Sequence, residues 1–169
     1  MQQVQYENKL RAKGFNSIGR GLYANVFAKD NSDKAVKVAR LDSWPSYIKW
    51  ATENGFAGTF APKVESLKFY DGFYVAVMER LVGTLKEFEG TTSIHRQLYR
   101  EITAWRDSTS DATDLIEFVN KLKAANLSDD WHPGNVMVRK DGQVVVTDPS
   151  SARFSGKHFR IKHGQITAP

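Results

Sequence analysis

Five short β-prone segments crowd the first half of the chain: Phe15 to Gly19, Leu22 to Ala28, Ala35 to Leu41, Val64 to Tyr70 and Phe73 to Glu79. Strands this short and close together must pair mostly with sequence neighbours. That means a small antiparallel sheet, because parallel strands need crossovers of a dozen or more residues. The last two flank Asp71-Gly72, a dipeptide suited to a two-residue type I′ hairpin with positive φ at both central positions. One helix, Pro45 to Asn54, interrupts the strands. Its proline falls in the first turn, where a missing N–H matters least.

Beyond Gly90 the pattern turns helical. Ile94 to Trp105 is one expected helix. Asp111 to Ala125 is another, with Ala112, Leu115, Ile116, Val119 and Leu122 on one face and Ser110 or Asp111 as its cap. Val136 to Arg139 and Val144 to Thr147 then form a second hairpin around Lys140-Asp141-Gly142. The expected fold class is α+β, in two small lobes of one domain: a sheet-rich lobe with one helix (14–81), a helical lobe (82–151) and a basic tail (152–169).

Composition narrows the function classes. The chain has 169 residues, 41% of them hydrophobic, which suits one domain with a real core. Cysteine is absent, excluding disulfide frameworks, thiol nucleophiles and thiolate zinc sites. No apolar run approaches bilayer length, and the polar first residues show no secretory signal, so a cytoplasmic protein without membrane contact is expected. The net charge is +5. Four of those charges, Arg153, Lys157, Arg160 and Lys162, lie in the acid-free stretch from Ser150 to Pro169. There they interleave with Phe154, His158, Phe159 and His163, a composition that can bind nucleic acid or form a solvated or packed tail.

Three segments can carry chemistry. Gly19-Arg20-Gly21-Leu22-Tyr23-Ala24-Asn25-Val26 joins two strands; its glycines suit close backbone approach to phosphates, or an ordinary turn. Lys37 sits among apolar residues in Ala35-Val36-Lys37-Val38, as a phosphate ligand or an edge-strand lysine facing water. Asp129-Asp130-Trp131-His132-Pro133-Gly134-Asn135 precedes one strand, and Asp148 closes the next. Asn and Asp oxygens suit Mg²⁺, although these residue types also dominate turns.

Taken together, Gly-x-Gly, a strand lysine, Asp-x₄-Asn and a later Asp follow the order found in protein kinases. The chain resembles a reduced protein-kinase-like phosphotransferase over Gly14 to Ser151. Its Gly-Asn turn and its Thr-Asp-Pro are similar to the early serine/threonine kinases of short-tailed phages. The resemblance implies a kinase-like fold with a truncated helical lobe, since only 21 residues follow Asp148. It also implies ATP and Mg²⁺ as cofactors. Gly19 and Gly21 would cover the phosphates and Lys37 would contact them. Val26 and the hinge-like Met78-Glu79-Arg80-Leu81 would hold the base, with Glu79 and Leu81 at the nucleotide. Asp130 would be the catalytic base, and Asn135 and Asp148 the metal ligands.

Several positions depart from that pattern. Ala24 stands in place of a third glycine. Glu53, the candidate helix partner of Lys37, sits near its helix end and reads equally as a surface residue. Asp129 precedes the catalytic Asp where an Arg is usual, which argues against control by activation-loop phosphorylation. Pro149 and Ser150 replace Phe and Gly, and His132 reads as a turn-stabilising residue. The leading expectation is a phage serine/threonine kinase acting on host proteins in the host cytoplasm. The alternatives are a kinase-derived module that inhibits a host protein by occupying it, and a small-molecule phosphotransferase.

Overall fold

The structure, a computed structural model, describes residues 1–84, 113–130, 133–151, 153–154 and 156–169. The expected helix Ile94 to Trp105, the caps Ser110 and Asp111, and Trp131 and His132 lie outside them. The chain is α+β. A seven-stranded sheet contains β1 (Asn16–Arg20), β2 (Ala24–Ala28), β3 (Lys34–Arg40), β4 (Val64–Tyr70), β5 (Phe73–Glu79), β9 (Arg160–Lys162) and β10 (Gln165–Thr167). Its order is β1-β2-β3-β5-β4-β9-β10, antiparallel throughout. A smaller antiparallel sheet is formed by β6 (Gly83–Thr84), β7 (Val136–Val138) and β8 (Val144–Val146).

Both faces of the large sheet are covered, which explains why β3 reads as a nearly continuous apolar run. Val36 and Val38 pack with Phe27, Phe73 and Val75 against Leu10 of helix α1 (Gln3–Ala12). Ala35 and Ala39 face the other way, toward helix α2 (Trp44–Glu53), whose Trp44, Tyr47, Ile48 and Ala51 are buried. The expectation of one helix beside this sheet is therefore corrected to two, one on each face. Helix α1 is mostly polar, and only its tertiary contacts show which side is inside.

The two expected lobes share one core. Phe118 of helix α3 (Thr113–Ala124) meets Trp50 and Phe56, at ring-centroid separations of 5.8 and 5.0 Å. Leu122, Val136, Val138, Val144 and Val146 continue the same apolar cluster. Helix α3 ends where Asn126 takes a positive φ of 56°, and the Leu127 N–H donates back to the Leu122 carbonyl.

The stretch expected as a basic tail completes the large sheet instead. Ile161 pairs with Leu67 and Lys162 with Ser66, while Phe159 is buried. Phe154, His158 and Phe159 all gather on Phe69, with His158 stacked at 4.3 Å, so these rings are occupied within the fold. The type I′ geometry also appears elsewhere than expected. At Asp71-Gly72 only Gly72 has positive φ (78°), whereas His163 (53°) and Gly164 (77°) both do, between paired Lys162 and Gln165.

Candidate active site

Lys37 lies on a central strand, not at an edge, and is 6% exposed. The ladder register sets Gly19 opposite Val26, Val26 opposite Lys37, and Lys37 opposite Ala76, so these residues share one face of the sheet. A buried ammonium needs compensation. Here the Lys37 Nζ lies 3.2 Å from Oδ2 of Asp148, which is 111 residues away in sequence, and 4.3 Å from the centroid of the Trp44 ring.

The end of β8 delivers Asp148 to that point, and three contacts fix it. The Tyr47 hydroxyl donates to the Val146 carbonyl at 2.6 Å, the Trp44 indole N–H to the Thr147 carbonyl at 2.8 Å, and the Val146 N–H to the Phe60 carbonyl at 2.8 Å. Asp130 and Asn135 are laced to the same strand end. The Thr147 N–H and hydroxyl both donate to the Asn135 carbonyl, at 2.7 and 2.9 Å, and the Asp130 N–H donates to the Pro149 carbonyl at 3.0 Å. The Asn135 amide donates to the Asp130 backbone carbonyl at 2.9 Å and to its carboxylate at 3.3 Å. Lys37 and Asp148 are thus in contact, and Asp130, Asn135 and Asp148 are joined through one hydrogen-bonded frame.

The electrostatics of this group are lopsided. Burial pushes the Asp148 carboxyl above its usual value; Lys37 opposes that shift, while the negative charges of Asp42 and Asp130 add to it. Tyr47 and Tyr74 are pushed well above 10.0, first by burial and then by neighbouring carboxylates including Asp148. Asp42, not singled out from the sequence, is held by the Tyr74 hydroxyl at 3.0 Å and the Trp44 N–H at 3.1 Å. The latter bond is an Asx turn, and Asp42-Ser43-Trp44-Pro45 carries its signal.

This donor set fits Mg²⁺. With its Nδ2 donating, Asn135 keeps an amide oxygen, and Asp148 supplies a carboxylate short of positive charge. Among the described residues no cluster of three His, Cys, Asp or Glu side chains forms a metal cage. Two hard oxygens suit an ion whose coordination is completed by waters and phosphate.

A cleft of about 1190 Å³ opens beside this centre, lined in part by Gly19, Arg80, Leu81, Gly134 and Met137. Lys37 and Asp148 do not line it. Neither Gly19 nor Gly21 has a positive φ. An added Cβ would meet only Val26 Cβ at 3.7 Å or the Ala24 carbonyl at 3.9 Å, respectively, so the fold itself does not demand glycine at either position. Along the strand-exit segment, the N–H groups of Glu79, Arg80 and Val82 donate to the carbonyls of Lys63, Asp33 and Val138. Leu81 makes no backbone hydrogen bond among the described residues.

The Glu79 side chain lines the same cleft and is held by protein groups. It receives Arg139 bidentately, Nε and Nη2 each at 2.7 Å, and also the Lys63 N–H at 2.7 Å. Arg139 further reaches the Thr59 and Ala61 carbonyls. No local signal identifies Arg139, because its partner is 60 residues away. Glu53 pairs with Lys49 on the exposed face of α2 and does not reach Lys37. The Asp129 carboxylate accepts from the Ser150 hydroxyl and from the N–H and hydroxyl of Ser151. Burial raises its pKa, but these hydrogen bonds outweigh burial and hold it below the usual value.

Comparison with curated proteins gives no match. A protein-family model described as bacteriophage T7 protein kinase 0.7 matches residues 3–166. That span contains the lysine, both turn residues and the strand-end aspartate described above. The chain therefore belongs to the bacteriophage T7 protein kinase 0.7 family, a phage kinase-type family.

Proposed function

We propose that the chain is an ATP- and Mg²⁺-dependent serine/threonine protein kinase acting on host proteins in the host cytoplasm. The observation that carries this reading is the contact between buried Lys37 and Asp148, beside a hydrogen-bonded Asp130–Asn135 turn. The β1-β2-β3-β5-β4 order, with a lysine in its third strand, supports a kinase-like sheet.

In this reading the Lys37 ammonium binds the α- and β-phosphate oxygens, where its charge is least screened by water. Gly19 and Gly21 let the backbone close over the phosphates. Leu81 offers its backbone to the adenine edge, and Val26 contributes apolar surface. Asn135 and Asp148 would hold Mg²⁺, which would supply positive charge to neutralise the phosphates. Asp130 orients the acceptor hydroxyl and takes its proton, and the Asn135 amide fixes the rotamer of Asp130. The protein's contribution is chiefly position and field.

Radiolabelled phosphate transfer to the chain itself or to host lysate tests the proposal. Wild type is expected to label well above an Asp148→Ala control; equal labelling would sink the enzymatic reading. A second reading, a module that inhibits a host protein by occupancy, draws on the absence, among the described residues, of a glutamate partner at Lys37, Glu53 being paired with Lys49. An Asp130→Ala variant with undiminished biological effect would favour it.

A further inference from the structure

We infer that Trp44 is the positioning residue of this centre, performing for Lys37 and Asp148 the task a helix carboxylate performs for the strand lysine in other kinases. The inference rests on the kinase reading above. Trp44 begins α2 and is 1% exposed. Its ring lies under the Lys37 ammonium at 4.3 Å, and its indole N–H holds the Thr147 carbonyl, one residue before Asp148, at 2.8 Å. Its backbone N–H orients Asp42 at 3.1 Å. The ring itself is fixed by parallel stacking on Tyr74, at 5.6 Å and 2°.

A ring and a carboxylate hold a lysine differently. The negative face of an indole attracts a desolvated cation and gives it direction, but leaves its charge intact and its N–H donors uncommitted. Among the described residues, the carboxylate that meets Lys37 is Asp148, from a strand end, and no carboxylate of α2 reaches it. Because the same side chain grips the backbone beside Asp148, the lysine and the metal-ligand end of the centre are set by one rigid group. The two functions reside in different parts of Trp44, so they can be separated. The ring governs Lys37 and hence nucleotide affinity; the N–H governs the strand end and hence the turnover geometry.

Steady-state phosphotransfer against ATP concentration, using Trp44→Phe, Trp44→Leu and the control Lys37→Met, tests this split. Thermal unfolding checks each fold, and the NMR shift of the Lys37 ε-methylene reads the ring contact without any activity. Trp44→Phe keeps a ring and loses the N–H. It is expected to lower kcat about tenfold with KM for ATP within about twofold. Trp44→Leu is expected to raise KM about tenfold as well, and to abolish the upfield ring-current shift expected at Lys37 in wild type. A folded Trp44→Leu with wild-type KM and kcat overturns the role while leaving the kinase reading intact. Losses in both variants that merely track the fraction folded overturn it too. If Trp44→Leu does not fold, an unchanged kcat in Trp44→Phe decides against it. A wild type no more active than Lys37→Met removes the kinase reading, and this role with it.

Discussion

Two ion pairs join the large sheet to the small one, and they are built on opposite plans. Glu79, at the end of β5, takes Arg139, just past β7, through two hydrogen bonds of 2.7 Å. Two further Arg139 N–H groups donate to the Thr59 and Ala61 carbonyls, and both side chains are largely buried, at 15% and 21% exposure. Lys37, on β3, meets Asp148, just past β8, through one contact of 3.2 Å, with exposures of 7% and 34%. The first pair is bidentate and without excess charge. The second is a single contact in which burial and two further carboxylates leave the acid poorly compensated. A bidentate, compensated pair holds sheets together; on the proposed kinase reading, the single contact would leave capacity for a cation and an anion that arrive together.

Removing one partner from each pair gives the sharpest contrast. Arg139→Ala strands Glu79 and two carbonyls, and is expected to cost about 2–3 kcal/mol, a fall of roughly 5–10 °C in Tm. Lys37→Met is expected to keep Tm within a few degrees while phosphotransfer drops by about 10²–10³-fold. Equal Tm losses would erase the distinction between the pairs.

Asp148→Asn sharpens the comparison through its sign. The folded-state pKa of Asp148 is raised, so the folded protein binds that proton more readily than the unfolded chain does. The stabilising contribution is complete below the unfolded value of 3.8 and is lost as pH rises through the folded pKa, leaving a net penalty at neutral pH. The variant is therefore expected to be inactive yet to melt no lower than wild type at pH 7 without ligand, and the excess should shrink toward pH 4. A clearly lower Tm would mean that the Lys37 contact outweighs burial and repulsion. The mildest change is Gly21→Ala in the loop near the looser pair. With ordinary φ and open space at Gly21, Tm should hold or rise by the equivalent of about 0.5 kcal/mol, while nucleotide affinity falls. Calorimetry and nucleotide titration read the two effects separately.

These contrasts also mark how far the sequence could be read. β4 and β5 stand at their expected boundaries, Val64–Tyr70 and Phe73–Glu79, because compact apolar runs and an intervening glycine are local signals. Helix α2 starts one residue before its expected Pro45 for the same reason. Lys37, Asp130, Asn135 and Asp148 stand out only through the order of their motifs, and the fold links them by direct contact or through neighbouring backbone. What escaped was long-range. The polar helix α1 has its inner side selected by Leu10 and the sheet. Arg139, the partner of Glu79, lies 60 residues from it and carries no local signal. His163-Gly164 makes the tight turn without the usual Asn or Asp, and its strand is stabilised by β4 and not by its own composition.

The pairing of Ile161 with Leu67 also has a temporal meaning. During synthesis the chain emerges in order, so β4 must wait with an open flank until Phe159 and Ile161 have been translated. The Lys37–Asp148 contact spans 111 residues and waits nearly as long. Folding of this sheet is thus set by distant contacts, which slow closure of a chain. A nascent chain long enough to display the glycine loop and the lysine still has neither its acid nor its completed sheet. The order of translation itself thus delays the Lys37–Asp148 contact until the residues just past β8 have emerged.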